Sequence, residues 1–284
     1  MTSSLRYTAP PRRGRTPSKD GTTTTSQVQS LTRGLSILES LAQAEGGLTL
    51  TDLAHRSTLA PSTAHRLLAT LEKMGYVYQA GELGRWYVGV QAFTVGSSFL
   101  ASRDFVAQSH PYMRRLMEQS GETANLGILD GTEAVFVDQV QCREMMRTIV
   151  KLGSRVPLHA SGVGKAMLSA MPPREADELV GRGALAIYTD HTLVTRAGLA
   201  QALAQAASRG YAIDDEEHAL GLRCVAAAIV DEAGRPWAAL SIAGPTSRLT
   251  RERLPELGER VRSAARDVTL ALGGVPPSPR KEPR

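Results

Sequence analysis

The alternation of apolar and polar positions is most regular over residues 50–77, which predict two short helices, a tight turn and a following strand. In the second helix, Ala64, Leu67, Leu68 and Leu71 follow the i, i+3, i+4, i+7 spacing of one buried face. The other side is polar and cationic, and it carries Ser62, Thr63, His65, Arg66, Thr70 and Lys73. A helix held by an apolar back and presenting such a face fits the major groove of DNA.

Neighbouring patterns predict the rest of a helix-turn-helix domain over residues 28–90. A first helix over residues 30–45 is expected to bury one side, formed by Leu31, Leu35, Leu38 and Leu41. Thr51 is the expected N-cap of the next helix, and Pro61 suits the first turn of the helix after it, because its missing N–H costs nothing there.

Two strand-like runs follow, Tyr76-Val77-Tyr78 and Trp86-Tyr87-Val88, and they predict a hairpin. A hairpin after a helix-turn-helix is a wing, and Arg85 near its tip could reach phosphate or the minor groove. The N-terminal domain is therefore expected to be an all-helical winged helix-turn-helix apart from this hairpin.

The pattern beyond residue 90 predicts a linker helix over residues 91–109 and a further helix that starts near Pro111. After Gly121 the pattern of apolar and polar positions changes, and it predicts a mixture of strands and helices. Strands are predicted at 123–129, 134–140, 145–150, 223–230 and 236–243, and helices at 161–170, 172–181, 196–209 and about 250–272. This order predicts an α+β, sensor-like domain over residues 110–274.

Composition excludes several classes of protein. Hydrophobic residues make up 42% of the chain, yet no apolar run approaches the ~20 residues of a membrane span. The first residues contain no apolar signal-peptide core. Two cysteines, Cys142 and Cys224, do not form a disulfide framework, so we expect a cytoplasmic protein without a membrane partner.

The net charge of +5 is concentrated near the N-terminus, where residues 1–30 carry five basic and one acidic side chain, or +4. Residues 1–27 and 275–284 are rich in proline and polar residues and are predicted to be disordered tails. In the first tail, Arg13-Gly14-Arg15 resembles the core of an AT-hook, in which arginines enter a narrow minor groove. The alternative is a chance match in a solvated basic leader.

Longer segments resemble IclR-type transcriptional regulators over about residues 27–274. They are QVQSLTRGLSILE, STAHRLLATLEKMGYV, PLHASGVGKAMLSA, GYAIDDEEHALGLRCVAAAIVDEAG and ALSIAGPTSR. The last two, with HPYMRRLMEQSGET and FVDQVQC, resemble the acetate-operon (glyoxylate-bypass) repressor branch in particular. The family implies a winged helix-turn-helix that dimerises and a profilin/GAF-like α+β effector-binding domain. Its members often assemble as dimers of dimers on palindromic operators in double-stranded DNA.

The branch implies a ligand-responsive repressor of a glyoxylate-bypass operon, with the 2-oxo acids glyoxylate and pyruvate as opposing effectors. Base reading is expected from the first turns of the third helix, by Ser62, Thr63, His65 and Arg66. Arg66 can donate a bidentate pair to guanine, whereas Lys73 and Arg85 are expected to contact phosphate only. Thr70 lies on the same polar face. The alternative for each side chain is a solvated residue on an exposed surface.

Several elements are expected to meet in the effector site. Ser161 is a candidate N-cap, and the backbone amides near Gly162 and Val163 favour a small carboxylate. Close packing of that helix on a sheet is the alternative reading of the glycines. The resemblance places Asp214 and Cys224 in the pocket, while the other acids of residues 214–217 are expected to be surface or capping residues.

The remaining wall is expected to contain Ser241, whose hydroxyl can bond a ligand oxygen, and the apolar side chains of Met145 and Leu222. The branch has a second serine at the position of Ala243 and usually has alanine at the position of Val163. Both departures make the pocket less polar or tighter, and they leave the identity of the effector open.

Two alternatives remain at this point. A regulator of the same architecture could sense an aromatic or other carboxylic acid. Alternatively, Cys224, His159 and Asp214 could form the nucleophile, base and orienting group of a cysteine-dependent enzyme. The cysteines and histidines show no metal-ligand spacing and there is no phosphate-binding loop, so we expect neither a metal nor another cofactor.

Overall fold

The computed structural model describes residues 28–81, 84–101 and 104–276, which form two compact units divided between Ser97 and Ser98. The predicted tails, including Arg13-Gly14-Arg15, lie outside the described residues except for Val275 and Pro276. Within the described residues, no helix is both long enough and apolar enough to cross a membrane.

The first unit contains a three-helix cluster and a two-stranded antiparallel hairpin. Its elements are α1 (Gln29–Ala42), α2 (Leu50–Arg56), α3 (Pro61–Lys73), β1 (Val77–Ala80) and β2 (Arg85–Val88), and α4 (Val90–Ala101) begins in this unit. Ile37, Leu53, Leu68 and Trp86 are almost fully buried and form its core. The predicted helix-turn-helix and hairpin wing are both present.

Two local predictions in this unit are wrong. The N-cap of α2 is Thr49, whose hydroxyl accepts from the amide of Asp52, while the Asp52 carboxylate accepts from the Thr49 amide. Thr51 lies inside the helix, because this reciprocal capping box is better satisfied two residues earlier. Leu31 and Leu35 are 62% and 51% exposed, since α1 turns its Ile37 side toward the core.

The second unit is built around one six-stranded sheet with the strand order β5-β4-β3-β8-β7-β6, in which all neighbours are antiparallel. Its strands are β3 (Thr123–Asp130), β4 (Glu133–Val140), β5 (Arg155–Pro157), β6 (Ala212–Asp215), β7 (Leu222–Val230) and β8 (Pro236–Pro245). Its helices are α5 (Asp104–Ser120), α6 (Gly162–Ala170), α7 (Pro173–Val180), α8 (Arg196–Arg209) and α9 (Leu254–Ala271). The α+β prediction is confirmed.

The two faces of this sheet pack differently. One face carries large apolar side chains such as Leu126, Ile229 and Leu240, which pack with α5 and α9. The other face carries small residues such as Ala226 and Ala239, which pack with α6, α7 and α8. Small side chains let α6 approach the sheet closely, and this face also carries the polar residues described below.

Three predictions of elements in this unit need correction. The helix α5 begins at Asp104 and continues through Pro111, because its packing against β3, β4 and α9 outweighs the cost of an internal proline. Residues 145–150 form no strand, and Met145 is 97% exposed. The short strands β5 and β6, at the two edges of the sheet, were not predicted.

Candidate functional site

The exposed face of α3 is the first candidate site. Ala64 and Leu68 are fully buried on its inner side, which fixes the rotation of the helix. The side chains that the sequence predicts to face DNA are exposed except for the half-buried Thr63: Ser62, Thr63, His65, Arg66, Thr70 and Lys73. The structure therefore presents one polar, cationic surface of the type that enters a major groove.

The start of α3 is prepared by the preceding turn. Pro61 occupies the first helical position, and Thr58 in the turn has a φ of 52°, which is uncommon for a residue with a side chain. The amides of Thr58 and Leu59 donate back to α2, to the carbonyls of His55 and Ala54. These hydrogen bonds tie the turn to α2 immediately before α3 begins.

The wing is anchored to the same unit. Strand β2 forms a bridge with Leu48 through reciprocal backbone hydrogen bonds at Trp86. Arg85 is half-buried, and its Nη1 donates to the carbonyl of Gly47 at 3.0 Å. One nitrogen of this guanidinium is therefore engaged, while Arg has five N–H donors in all. Thr70 is similarly engaged, since its hydroxyl donates to the carbonyl of Arg66 at 2.9 Å.

The second candidate site lies on the small-residue face of the second sheet. Asp214 on β6 pairs directly with Cys224 on β7, and Cys224 pairs with Ala243 on β8. Ser241 lies two residues before Ala243 and pairs with Asn125 on β3. Because alternate residues of a strand share a face, these side chains line one continuous surface under α6. The register thus brings together Asp214, Cys224 and Ser241, as predicted.

The N-terminus of α6 closes tightly over this surface. Ser161 caps the helix, as predicted, by accepting from the amide of Gly164 at 3.2 Å. A Cβ added at Gly162 would lie 2.7 Å from the Sγ of Cys224, and one at Gly164 would lie 2.4 Å from the backbone of Leu158. Gly162 is therefore needed for close packing of the helix on the sheet, the alternative that the sequence left open, and Gly164 for close approach of the helix to the loop before it.

Asp214 is the most perturbed acid of this surface. It is 3% exposed, and its Oδ1 accepts from the amides of Glu217 at 2.8 Å and His218 at 3.4 Å. Its pKa is raised to about 7, chiefly by burial and also by the charge of Glu217, against the opposing effects of Lys165 and the two amides. A carboxyl in this state can both donate and accept hydrogen bonds near neutral pH.

The acidic run 214–217 is not the solvated loop that its composition suggests. Asp215 pairs with Arg223 and Arg251, and these cations lower its pKa against the opposing effect of burial. Glu217 is 6% exposed and pairs with Lys165 of α6, which is 3% exposed. Both members of this ion pair were missed as site residues. The single lysine among the small and apolar residues of α6 could have indicated this ion pair, because a cation in such surroundings needs a buried partner.

The chemistry of Cys224 argues against a nucleophile. The pKa of its thiol is raised to about 12, chiefly by burial and also by the nearby Asp214 carboxylate. The Ser241 hydroxyl and the Gly162 amide oppose this effect, although among the described residues Ser241 has no partner in hydrogen-bond geometry. His159 directs its Nε2 to the carbonyl of Ala186 at 2.9 Å. A neutral thiol is not the nucleophile of an enzyme.

The predicted apolar wall is only partly assembled. Leu222 is half-buried on β7 and lies on the same face as Cys224. Val163 is 1% exposed and packs its methyl groups over Gly127 of β3, about 3.6 Å from where a Cβ would lie. Met145 does not join them, because its side chain points into solvent from the irregular segment after β4.

A separate apolar cavity of about 160 Å³ lies between α6, α7 and α8. Its walls include Leu168, Ala176 and Leu203, and its cation, Arg196, is already paired with Asp177 at 3.4 Å. The cavity is therefore poorly suited to a carboxylate compared with the polar surface under α6. In the part of the chain that the structure describes, no group of three His, Cys, Asp or Glu side chains is arranged to hold a metal ion.

Comparison with known proteins covers both units. Residues 97–270 match the family model for the bacterial transcriptional regulator IclR C-terminal domain, and residues 30–81 match that for the IclR helix-turn-helix domain. The chain is 52% identical to the acetate operon repressor of Salmonella typhimurium strain LT2, over 94% of this chain and 98% of that protein. It is 51% identical to the transcriptional repressor IclR of Escherichia coli K12, with the same coverage. The crystal structure of Thermotoga maritima IclR is 27% identical, with a TM-score of 0.73 over 87% of this chain and 100% of that chain.

Proposed function

Because this chain belongs to the IclR family of bacterial transcriptional regulators, and is a DNA-binding regulator rather than an enzyme, we propose that it represses an acetate (glyoxylate-bypass) operon in response to a small 2-oxo acid. Two observations support this function. The relatives that are about half identical over nearly their full lengths are an acetate operon repressor and IclR. The polar surface under α6 offers a small site suited to a carboxylate.

In this proposal the exposed face of α3 reads the operator. Ser62, Thr63, His65 and Arg66 contact base edges or nearby phosphates from the first turns of the helix, and Arg66 supplies the bidentate contact to guanine. Thr70, Lys73 and Arg85 contribute through the DNA backbone, which adds affinity without reading sequence. The assignment is supported by exposure of all these side chains except Thr63 and Arg85, which are half-buried.

Self-association follows from the same reasoning. We propose a cytoplasmic dimer or dimer of dimers whose symmetry matches a palindromic operator. Large apolar side chains on α1 and α4 support it, since Leu31, Leu35 and Phe93 are 62%, 51% and 74% exposed. Leu31 and Leu35 lie one turn apart on α1, and neighbouring exposed apolar groups of this kind mark sites of protein contact.

The effector site is proposed at the surface formed by Asp214, Cys224 and Ser241 with the start of α6 at Gly162 and Val163. The ligand would pack one side against the half-buried Leu222, and Met145 would join the wall only if its segment folds inward. A ligand bound here can shift operator affinity only by its differential affinity for two states of the protein, commonly ~1–3 kcal/mol.

The test is fluorescence anisotropy of the purified protein on a labelled glyoxylate-bypass promoter fragment, at a stated salt concentration. Separate titrations add glyoxylate, pyruvate and benzoate. We expect specific binding that the two 2-oxo acids alter and benzoate does not. A response to benzoate alone would favour a regulator of aromatic acid catabolism, with Val163 and Ala243 as the residues to exchange first. Absence of specific binding to this promoter would overturn the proposed operon.

A further inference from the structure

The buried ion pair of α6 leaves one carboxylate oxygen without a donor. Lys165 Nζ donates to Glu217 Oε1, whereas Glu217 Oε2 is buried and has no hydrogen-bond partner among the described residues. Neither side chain is more than 9% exposed. An unsatisfied buried oxygen costs free energy, more so on a charged group. Glu217 is therefore an imperfect partner for this lysine.

The backbone that carries Glu217 is also held under strain. Glu216 has a φ of 64°, a left-handed conformation that is uncommon for a residue with a side chain. The segment is fixed by the hydroxyl of Thr189, which donates to the Glu216 carbonyl at 2.6 Å, and by that of Thr192, which donates to the Glu217 carbonyl at 2.7 Å. Such a segment stays in place only while its surroundings hold it.

The charge of Lys165 acts on the same groups that form the proposed effector site. Its positive charge lowers the pKa of both the Asp214 carboxyl and the Cys224 thiol. Lys165 follows Gly162 by one turn of α6, and Gly162 lies against the Cys224 sulphur. The fully buried Ser241 hydroxyl lacks a well-formed hydrogen bond on the same surface. The buried surface thus contains one cation and, among the described residues, two polar oxygens without a hydrogen-bond partner.

We infer that Lys165 is the counter-ion for the carboxylate of the effector, and that Glu217 occupies this place in the unliganded protein. Effector and Glu217 then compete for one cation. A bound carboxylate releases Glu217 and with it the strained segment 216–218, which turns the arrival of a small anion into a backbone movement. The inference rests on the proposed function of this surface as the effector site.

The competition predicts that a substitution within this buried ion pair strengthens effector binding instead of weakening it. Glu217→Gln removes the competing charge but keeps the shape, so we expect glyoxylate and pyruvate to bind about tenfold more tightly, as measured by isothermal titration calorimetry. A purely structural role of Glu217 gives the opposite result, unchanged or weaker binding with a lower melting temperature. Glu178→Gln, at an exposed glutamate paired with Arg174 on α7, is the matched control and should leave affinity unchanged.

A second variant tests the lysine without leaving a buried charge alone. Lys165→Met combined with Glu217→Gln removes both charges, and we expect it to fold and to bind glyoxylate at least about tenfold more weakly than Glu217→Gln. Retained affinity in this double variant would overturn the role of Lys165.

The wild-type titration separates this inference from the proposed function. If the wild type binds the 2-oxo acids and Glu217→Gln binds them no more tightly, the inference fails and the proposed function stands. If the wild type does not bind them but Glu217→Gln does, the competition is supported and the proposed effectors are wrong. If neither protein binds glyoxylate or pyruvate, both are overturned.

Discussion

The outer face of α3 and the polar surface under α6 carry charged side chains under opposite conditions. On α3, Arg66 and Lys73 are exposed to water, and neither forms an ion pair with another described residue. Under α6, Lys165, Asp214 and Glu217 are almost completely buried and change one another's energetics. Charges in water act nearly independently, whereas buried charges are coupled through a low dielectric. A substitution on the outer face of α3 is therefore expected to act independently of its neighbours. A substitution under α6 is expected to change the energetics of the whole buried group.

The largest effect is expected from Lys165→Met, which leaves Glu217 and Asp214 without their cation. We expect the free energy of unfolding to fall by about 3–5 kcal/mol, because a buried charge loses its partner. Urea denaturation followed by circular dichroism measures it. Adding Glu217→Gln should restore much of the loss, and a fall below about 1 kcal/mol in the single variant would show that the pair is not coupled as described.

The titration of Asp214 gives the next largest effect. Its folded-state pKa of about 7 lies above the ordinary 3.8, so the folded protein holds a proton that the unfolded chain has released. Stability is therefore expected to fall as the pH rises from about 4 to about 7, by at most about 1.4 kcal/mol per pH unit. Asp214→Asn should flatten that part of the profile of unfolding free energy against pH. An identical slope in the variant would assign the dependence to another group.

On the α3 side, Arg66→Ala should weaken operator binding by about 1–3 kcal/mol, because a bidentate contact to guanine is lost. Since the side chain is exposed, unfolding and binding of glyoxylate should not change. Anisotropy on the operator and on a scrambled duplex separates the lost specificity from general affinity. Unchanged operator affinity would remove Arg66 from the reading face.

Lys73→Ala is expected to have the smallest effect. A phosphate contact adds affinity for any sequence, so binding to the operator and to a scrambled duplex should weaken together. The number of counter-ions released on binding should fall by about one. The slope of log affinity against log salt concentration measures this. A loss confined to the operator would instead make Lys73 a reader of bases.

The same contrast explains what the sequence could predict. The face of α3 depends on residues at most a few turns apart, so Ala64 and Leu68 define it from local spacing. The burial of Glu217 depends on Lys165, which lies 52 residues earlier, and no local pattern in an acidic run indicates such a partner. The edge strand β6 was missed for the same reason. Capping by Thr49 rather than Thr51 depended on which hydroxyl could reach Asp52, and apolar spacing alone placed Leu31 and Leu35 on the wrong side of α1.

Because Gly162 lies against the Cys224 sulphur, the reactivity of this thiol depends on how closely α6 packs on the sheet. Burial raises the pKa of this thiol to about 12 and leaves the residue 8% exposed, so we expect slow reaction with an alkylating reagent while α6 is seated on the sheet. Labelling of Cys224 is therefore expected to become faster under any condition that moves α6 away from the sheet. If the proposed effector site is correct, a bound effector will cover the sulphur, and the labelling rate of this native cysteine will fall as the site fills.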